Sequence, residues 1–149
     1  MRQLVIFEGY WTKEDIEKFP PQYFFLFGDN LEEQGTGGQA CIRGCKQAVG
    51  IPTKVAPRIS EDAYFTPADG LGKIMLSKNA HLIISQIERN LKKIPEDAII
   101  VMPESGLGTG LAQLDKRAPN VLNDIYAFLE ASLGIDLGSF YVEESKQND

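Results

Sequence analysis

Residues Tyr23–Gly38, which read YFFLFGDNLEEQGTGG, decide the fold of this chain. The first five, Tyr23–Phe27, are continuously apolar and lie between Pro21 and a glycine-rich stretch, with Gln22 intervening. A continuous apolar run of this length, bounded by turn-forming residues, is typical of a strand buried on both faces of a sheet. The remainder, Gly28–Gly38, is called loop 1 below, and it begins where this buried strand ends.

A second stretch repeats this design further along the chain. Ala98–Met102 is again apolar, and Ser105–Gly110 (SGLGTG), called loop 2 below, follows it closely. Each loop is predicted to lead into a helix, and the one after loop 1 would span Gly38–Val49 and end at Gly50. If the two strands are neighbours, both loops present backbone N–H groups at one sheet edge, which suits a phosphate. The alternative is that the glycines only form turns and helix caps.

Strand and helix patterns alternate through the rest of the sequence. Further strands are predicted at Leu4–Phe7, Ile51–Lys54, Ala63–Phe65 and Phe140–Val142, and further helices begin near Thr12, Ser77 and Pro119. This alternation predicts an α/β fold, a three-layer sandwich in which a mixed, mostly parallel sheet carries helices on both faces. We expect a single domain over residues 1–143 and a frayed polar tail over residues 144–149.

The composition excludes several classes of partner. The 149 residues are 43% hydrophobic and 24% charged, which is ordinary for a globular domain. The net charge is −6 and no run of Lys or Arg is present, so duplex nucleic acid is not an expected partner. No segment is long and apolar enough for a membrane span, and Met1–Phe7 lacks the pattern of a signal peptide. We therefore expect a cytoplasmic protein with no membrane partner, and its oligomeric state stays open.

The cysteines and the histidine do not indicate a metal site. Cys41 and Cys45 are four residues apart in the predicted helix, where they would share one face as free thiols rather than form a disulfide. With His81 as the one histidine, the chain has too few nitrogen and sulfur ligands for a zinc centre. Neither a metal nor a cofactor is expected, and free thiols are typical of the cytoplasm.

One glycine motif resembles the dinucleotide-binding fingerprint but fails its context. Gly35–Ala40 matches G-x-G-x-x-A. That fingerprint must follow its strand directly, whereas seven residues separate Phe27 from Gly35. The acidic residue that should end the next strand would be Glu61 or Asp62, and both lie in an irregular stretch. A Rossmann enzyme is therefore disfavoured.

Several side chains near the loops are candidates for the chemistry of a site. Asp29 and Asn30 follow a strand, where they could meet ligand hydroxyls or bond to their own turn. Lys54 ends a short strand and could line the cleft or be solvated. Asp115 could act in catalysis or cap the last helix. Trp11 could stack on a base, although a core position is the alternative for an aromatic side chain there.

Five short segments carry a resemblance to a known family, namely Gly28–Asn30, Gly37–Ala40, Thr53–Lys54, Met102–Pro103 and Gly108–Ala112. In these segments the chain resembles a macro domain, the α/β fold that binds ADP-ribose. The later segments are similar to the branch that removes ADP-ribose from modified acidic side chains or nucleotides. The stretch from Phe27 to Lys54 also resembles an uncharacterised bacterial and phage family, which implies no function.

The resemblance implies a role for each matching position. The first loop would hold the distal ribose, the second would clasp the diphosphate, and the lysine would attack the anomeric carbon of the sugar. The candidate catalytic residues are Lys54, Asp29 and Asp115. The candidate ligand-binding residues belong to the two loops and their neighbours, together with one aromatic residue. They are Asn30, Gly37, Gly38, Gln39, Ser105, Gly106, Gly108, Thr109, Gly110, Leu111 and Trp11.

The chain also departs from the macro-domain pattern. Those domains place an Asp that holds the adenine amino group after the glycine of the first strand, and here Tyr10 follows Gly9. The catalytic Asp of the hydrolytic branch falls on Ala112, with Asp115 three positions later. A lysine nucleophile without that acid lacks a partner for proton transfer. The resemblance therefore implies binding more firmly than catalysis.

The expected function is binding of ADP-ribose or a related NAD-derived nucleotide, either free or attached to an ADP-ribosylated macromolecule. Hydrolysis of an ADP-ribosyl bond is the reaction that Lys54 would support. A first alternative is a non-catalytic protein that sequesters or senses a nucleotide. A second alternative is a protein-interaction scaffold whose contact surface would be formed by exposed Trp11, Tyr64 and Phe65.

Overall fold

Four strands form one sheet in the computed structural model, which describes residues 1–144. The strands are β1 (Leu4–Phe7), β2 (Tyr23–Asn30), β3 (Ala48–Lys54) and β4 (Ile99–Pro103). Their order across the sheet is β1-β4-β2-β3, and every neighbouring pair is parallel. The predicted α/β sandwich is confirmed, and the sheet is wholly parallel over the described residues rather than mixed.

The helices begin and end at the residues that cap them. They are α1 (Lys13–Glu17), α2 (Lys78–Leu91), α3 (Leu114–Arg117) and α4 (Pro119–Leu133). Thr12 caps α1 in a capping box with Asp15, and Ser77 caps α2 through its hydroxyl. Gly134 ends α4 in the left-handed conformation. The predicted helix starts near Thr12, Ser77 and Pro119 are confirmed.

Two apolar cores lie on opposite faces of the sheet, because alternate side chains of a strand point to opposite sides. On one face, Phe24 and Leu26 of β2 pack in a cluster with Ile83 of α2 and Ile125 of α4. On the other face, Ile16 of α1 and Trp11, which precedes this helix, pack against alternate strand residues. These are Phe25 and Phe27 of β2 and Val101 of β4. The layers are therefore helix, sheet, and a thinner layer of helix and turns.

The predicted helix over Gly38–Val49 is wrong. Only Gly38–Ile42 is helical, as a 3-10 turn, and Ala48–Lys54 is the edge strand β3. Gly50 therefore lies inside a strand, where it pairs with Phe27 instead of ending a helix. Every residue of β3 is buried, so pairing with β2 and packing against α2 outweigh the local helical pattern. Gly44, at φ +96°, also interrupts a helical path.

Because that helix is absent, the prediction that Cys41 and Cys45 share one helix face is also wrong. Both thiols are free and half-buried, and the Cys41 thiol donates a hydrogen bond to the carbonyl of Trp11 at 3.1 Å. Burial is the main cause that raises the pKa of each thiol. Each thiol is therefore held mainly in its protonated, less reactive form.

Two small predicted strands are also wrong. Ala63 ends the 3-10 turn Glu61–Ala63, Tyr64 and Phe65 lie between it and the 3-10 turn Pro67–Asp69, and Phe140 ends a further 3-10 turn. Near the C-terminus the aromatic rings pack on α4 instead of joining the sheet, with the centroids of Tyr126 and Tyr141 5.7 Å apart. Of the predicted tail at 144–149, residues 145–149 lie outside the described residues.

The three aromatic side chains expected to form a contact surface are not available for it. Tyr64 and Phe65 are buried, and Trp11 is only 5% exposed. Trp11 and Phe25 pack edge to face, with ring centroids 5.7 Å apart. The predicted exposure of these residues is therefore wrong, since burial of apolar surface draws them into the cores. Among residues 1–144, no helix combines the length and the apolar character that crossing a membrane requires.

Candidate functional site

A cavity of about 710 Å³ opens where the four parallel strands end. Each strand contributes to its wall, through Gly9–Trp11 after β1, Gly28–Asn30 of β2, Thr53–Lys54 of β3 and Pro103 of β4. Loop 1 and loop 2 both line it as well. Ligands of open parallel α/β sheets bind at this edge, beyond the carboxyl ends of the strands. The two glycine loops therefore share one cavity.

Most of the predicted site residues line this cavity. They are Asp29, Asn30, Gly37, Gly38, Gln39, Lys54, Ser105, Gly108, Thr109, Gly110, Leu111 and Trp11. Gly106 and Asp115 do not line it. The carbonyl of Gly106 is bonded to Gln39, and one carboxylate oxygen of Asp115 is buried without a hydrogen-bond partner among residues 1–144. The cavity also includes Gly9, Tyr10, Gln34, Thr53 and Pro57, which were not among the predicted site residues.

Loop 2 has its shape because its glycines have no side chain. Gly108 has φ +72°, a conformation that favours glycine. A Cβ atom at Gly108 would lie 3.0 Å from Cβ of Leu114 and 3.3 Å from Cβ of Thr53. From behind, the Tyr126 hydroxyl accepts a hydrogen bond from the Leu107 N–H at 3.0 Å. Burial raises the pKa of Tyr126 to about 12, so this hydroxyl stays protonated at neutral pH.

Three consecutive amides of loop 2 are not used within the part of the protein that the structure describes. The Gly108 carbonyl accepts a hydrogen bond from the Leu114 N–H at 2.7 Å. In contrast, the N–H groups of Gly108, Thr109 and Gly110 donate to no acceptor within the part of the chain that the structure describes. Gly108 is buried. A buried amide normally finds a partner, and consecutive free amides form the kind of concave donor set that binds anions.

Loop 1 is held by polar side chains. The Arg43 guanidinium donates to Oδ1 and Oδ2 of Asp29, at 2.5 and 2.9 Å, and to the Gly35 carbonyl at 2.8 Å. Asn30 accepts from the Glu32 N–H and donates to the Gln34 carbonyl, at 3.0 and 2.8 Å. Both carboxylate oxygens of Asp29 are therefore engaged, and the Asn30 side chain organises its own turn.

Gln39 joins the two loops through both ends of its amide. Its Oε1 accepts from the Gly28 N–H and its Nε2 donates to the Gly106 carbonyl, each at 2.8 Å. The indole N–H of Trp11 donates to the Gln39 carbonyl at 3.0 Å. Trp11 thus supports the wall of the cavity, whereas Tyr10 is 99% exposed on its rim. Tyr10 is the aromatic side chain that offers a free ring face here.

Lys54 lines the cavity as a buried cation, with only 8% of its surface exposed. Its Nζ lies 4.7 Å from the centroid of the Tyr64 ring, and Cζ of Arg117 lies 3.7 Å from the same centroid. Burial is the main cause that lowers the pKa of Lys54, and the positive charges of Arg117 and Arg58 lower it further. Within residues 1–144, its ammonium forms neither an ion pair nor a hydrogen bond with the protein.

The amino-acid sequence matches a model of one protein family. The model DUF7831, described as a family of unknown function, matches residues 6–128. The chain belongs to the DUF7831 family. The match includes both glycine loops, Lys54 and every other residue that lines the cavity. Nothing among the curated proteins or the solved structures matches the chain.

The structure of this DUF7831 chain adds residues that the sequence does not mark. Arg43 holds Asp29, Tyr64 lies under the Lys54 ammonium, and Arg117 covers the same ring. Arg117 and Tyr64 are far apart in sequence, so no local motif links them. Exposed Tyr10 after Gly9 is the one position for which the sequence carries a signal, an aromatic residue in a turn at a strand end. Among residues 1–144, no group of potential ligands is arranged to hold a metal ion.

Proposed function

We propose that this DUF7831 protein binds ADP-ribose or a related NAD-derived nucleotide in the cavity between its two glycine loops. The observation that carries the proposal is the convergence of both loops on one cavity, with the free amides of Gly108–Gly110 in its wall. Backbone N–H groups bind phosphate well, because they supply several donors without a side chain that must be desolvated. The resemblance to macro domains is part of this proposal.

The order of the strands gives the proposed ligand a direction. β1 and β3 are the edges of the sheet, so Tyr10 and Lys54 mark opposite ends of the cavity, with the loops that follow β4 and β2 between them. Three spacings between neighbouring strands of about 4.8 Å give a span of roughly 14 Å. An extended nucleotide fits this arrangement with its base on Tyr10, its diphosphate at loop 2 and its terminal sugar toward Lys54.

A second candidate function is hydrolysis of an ADP-ribosyl bond, including one on a modified macromolecule. The lowered pKa of Lys54 favours it, because a neutral amine is the nucleophilic form. The two candidate acids are less favourable. Asp29 is paired with Arg43, and Asp115 does not line the cavity. We therefore propose binding as the primary function and reaction as secondary. The free thiols agree with the cytoplasm, which we propose as the compartment.

Calorimetric titration with ADP-ribose tests the binding proposal. We expect saturable heat with one site per chain, and adenosine, which lacks the phosphates, should bind at least about tenfold more weakly because it forgoes the charge-assisted bonds to the loop amides. No heat at millimolar ADP-ribose, with the protein shown to be folded, would end the proposal.

Incubation with ADP-ribosylated protein, followed by mass spectrometry, separates the enzyme from the binder. Loss of the ADP-ribosyl group in the wild type but not in Lys54→Ala would establish hydrolysis. Binding without any release in either protein would leave a sequestering or sensing role. The Lys116→Ala variant, which removes an exposed lysine on α3, serves as the control for the loss of one positive charge.

A further inference from the structure

Among residues 1–144, no carboxylate pairs with the ammonium of Lys54. Its side chain is buried, and its ammonium makes a cation–π contact with the face of the Tyr64 ring. The carboxylate of Asp29, one strand away, is bonded through both oxygens to Arg43. A buried charge without a partner is costly, so such a group usually pairs with something else. Because Lys54 lines the cavity, that partner can come from the cavity.

The other charged side chains near Lys54 add positive charge. Arg117 and Arg58 both act on it electrostatically, and both lower its pKa. Their own carboxylate partners lie on exposed positions of the surface, with Glu61 bound to Arg117, and Glu32 and Asp62 bound to Arg58. Lys54 therefore has two further cations near it, and the carboxylates on the surface pair with those arginines rather than with Lys54.

We propose that Lys54 anchors a second anion subsite in the cavity, which takes a phosphate or carboxylate group of the ligand other than the phosphate held by loop 2. This inference rests on the proposed function, since both subsites would hold parts of one ligand. It gives Lys54 a binding role in its charged form. The ligand is then one of the related nucleotides rather than ADP-ribose itself, because it carries an anionic group toward its terminal end in addition to its diphosphate.

We test the inference by titrating the ¹⁵N-labelled protein with inorganic phosphate and recording the amide chemical shifts by NMR at each step. Sodium chloride is exchanged for phosphate at constant ionic strength, and acetate is titrated separately to distinguish a phosphoryl preference from a carboxylate preference. Two sets of amides are followed, Gly108–Gly110 for loop 2 and Thr53–Val55 with Tyr64 for the second subsite. We expect both sets to shift with phosphate in the wild type, with different apparent Kd values.

Three variants make the result specific. In Lys54→Met, the apparent affinity at the second set should fall by about tenfold or more, because a charge-assisted hydrogen bond is lost. In Lys54→Arg the charge is kept, and the fall should stay within about threefold. In Lys116→Met, the matched control with an exposed lysine on the nearby helix α3, both sets should respond as in the wild type.

The outcomes separate the two proposals. Shifts at Gly108–Gly110 without saturable shifts at the Thr53–Val55 set from either anion overturn the second subsite and leave the proposed function intact. Shifts of the second set that persist unchanged in Lys54→Met also overturn it. No shift at Gly108–Gly110 in the wild type counts against the proposed function itself, whatever happens at Lys54.

Discussion

Loop 1 and loop 2 line the same cavity, but they reach their shapes by opposite means. Loop 1 is held by the side chains of Asp29, Asn30 and Arg43, which bond to each other and to its backbone. Loop 2 is shaped by glycines at positive φ, such as Gly108, and by the contact of Tyr126 behind it. The polar side chains of loop 1 are therefore engaged within the protein, whereas loop 2 presents backbone to the cavity, with the N–H groups of Gly108–Gly110 free among residues 1–144.

This difference separates stability from binding within one site. Changes in the side chains of loop 1 remove hydrogen bonds that hold the folded state, so we expect them to act mainly on the free energy of unfolding. Changes in loop 2 that add a side chain alter the path of the free amides, so we expect them to act mainly on the ligand. The predictions below test this division.

The largest effect should follow Asp29→Ala in loop 1. The substitution leaves the Arg43 guanidinium without its carboxylate and the Asn30 N–H without its acceptor. Because removal of one partner from a buried pair is strongly destabilising, we expect a loss of about 3 kcal/mol in the free energy of unfolding. Urea denaturation followed by circular dichroism measures it. Asp62→Ala removes an exposed acid and should change stability by about 0.5 kcal/mol or less.

An intermediate effect is expected for Gly108→Ala in loop 2. The new Cβ would meet Leu114 at 3.0 Å and require a left-handed backbone, which should cost about 1 to 2 kcal/mol of stability. Binding of ADP-ribose should fall at least about tenfold, since the donor geometry is displaced. Gly110→Ala is the matched control, because its Cβ would have no neighbour within 4 Å and its φ is not positive. Equal losses of affinity in both variants would show that the loss does not come from the strained backbone and the Leu114 contact at Gly108.

The smallest effect concerns Lys54, which neither loop holds. Its pKa in the folded protein is below the ordinary value of 10.5, so the folded state binds this proton less tightly than the unfolded chain does. The buried charge of Lys54 lowers the free energy of unfolding. This destabilisation is complete below the lowered pKa and is lost as pH rises toward 10.5, so stability from this group increases with pH over that window.

The Lys54→Met variant should lack this rise and should be more stable at pH 7, by about 1 kcal/mol or less. Thermal unfolding of both proteins from pH 7 to 10.5 gives the difference curve, in which ionisation of the tyrosines cancels. A difference that stays constant over this range would show that the folded environment of Lys54 does not oppose its charge.

The elements whose form depends on their own residues were predictable from the sequence. Apolar runs indicate β2 and β4, and Thr12, Ser77 and Pro119 mark helix starts correctly. The form of residues 38–49 was not predictable, because they contain a 3-10 turn and the start of β3, a strand that exists only through pairing with β2. The same limit applies to Ala63–Phe65 and Phe140–Val142, where packing on neighbouring elements replaces the predicted sheet pairing.

The backbone of the site was predictable, and the partners of its side chains were not. Glycine spacing brings Gly37 and Gly108 to one cavity because parallel strands end at one edge. The bond from Arg43 to Asp29 and the position of Lys54 over Tyr64 depend on where turns place distant side chains. A single sequence contains no periodic signal for such contacts, so it indicated Asp29 as a candidate acid although the fold engages it elsewhere.

The position of β4 between β1 and β2 has a consequence for biosynthesis. β1 pairs only with β4, so the first strand made must wait for nearly the last one before it gains a neighbour. A nascent chain that has emerged only through α2 can pair β2 with β3, but it leaves the inner edge of β2 open. Such an edge invites pairing with other chains. Emergence of β4 from the ribosome is therefore the step that closes the sheet, and a stall before that point would expose the chain to aggregation or chaperone capture.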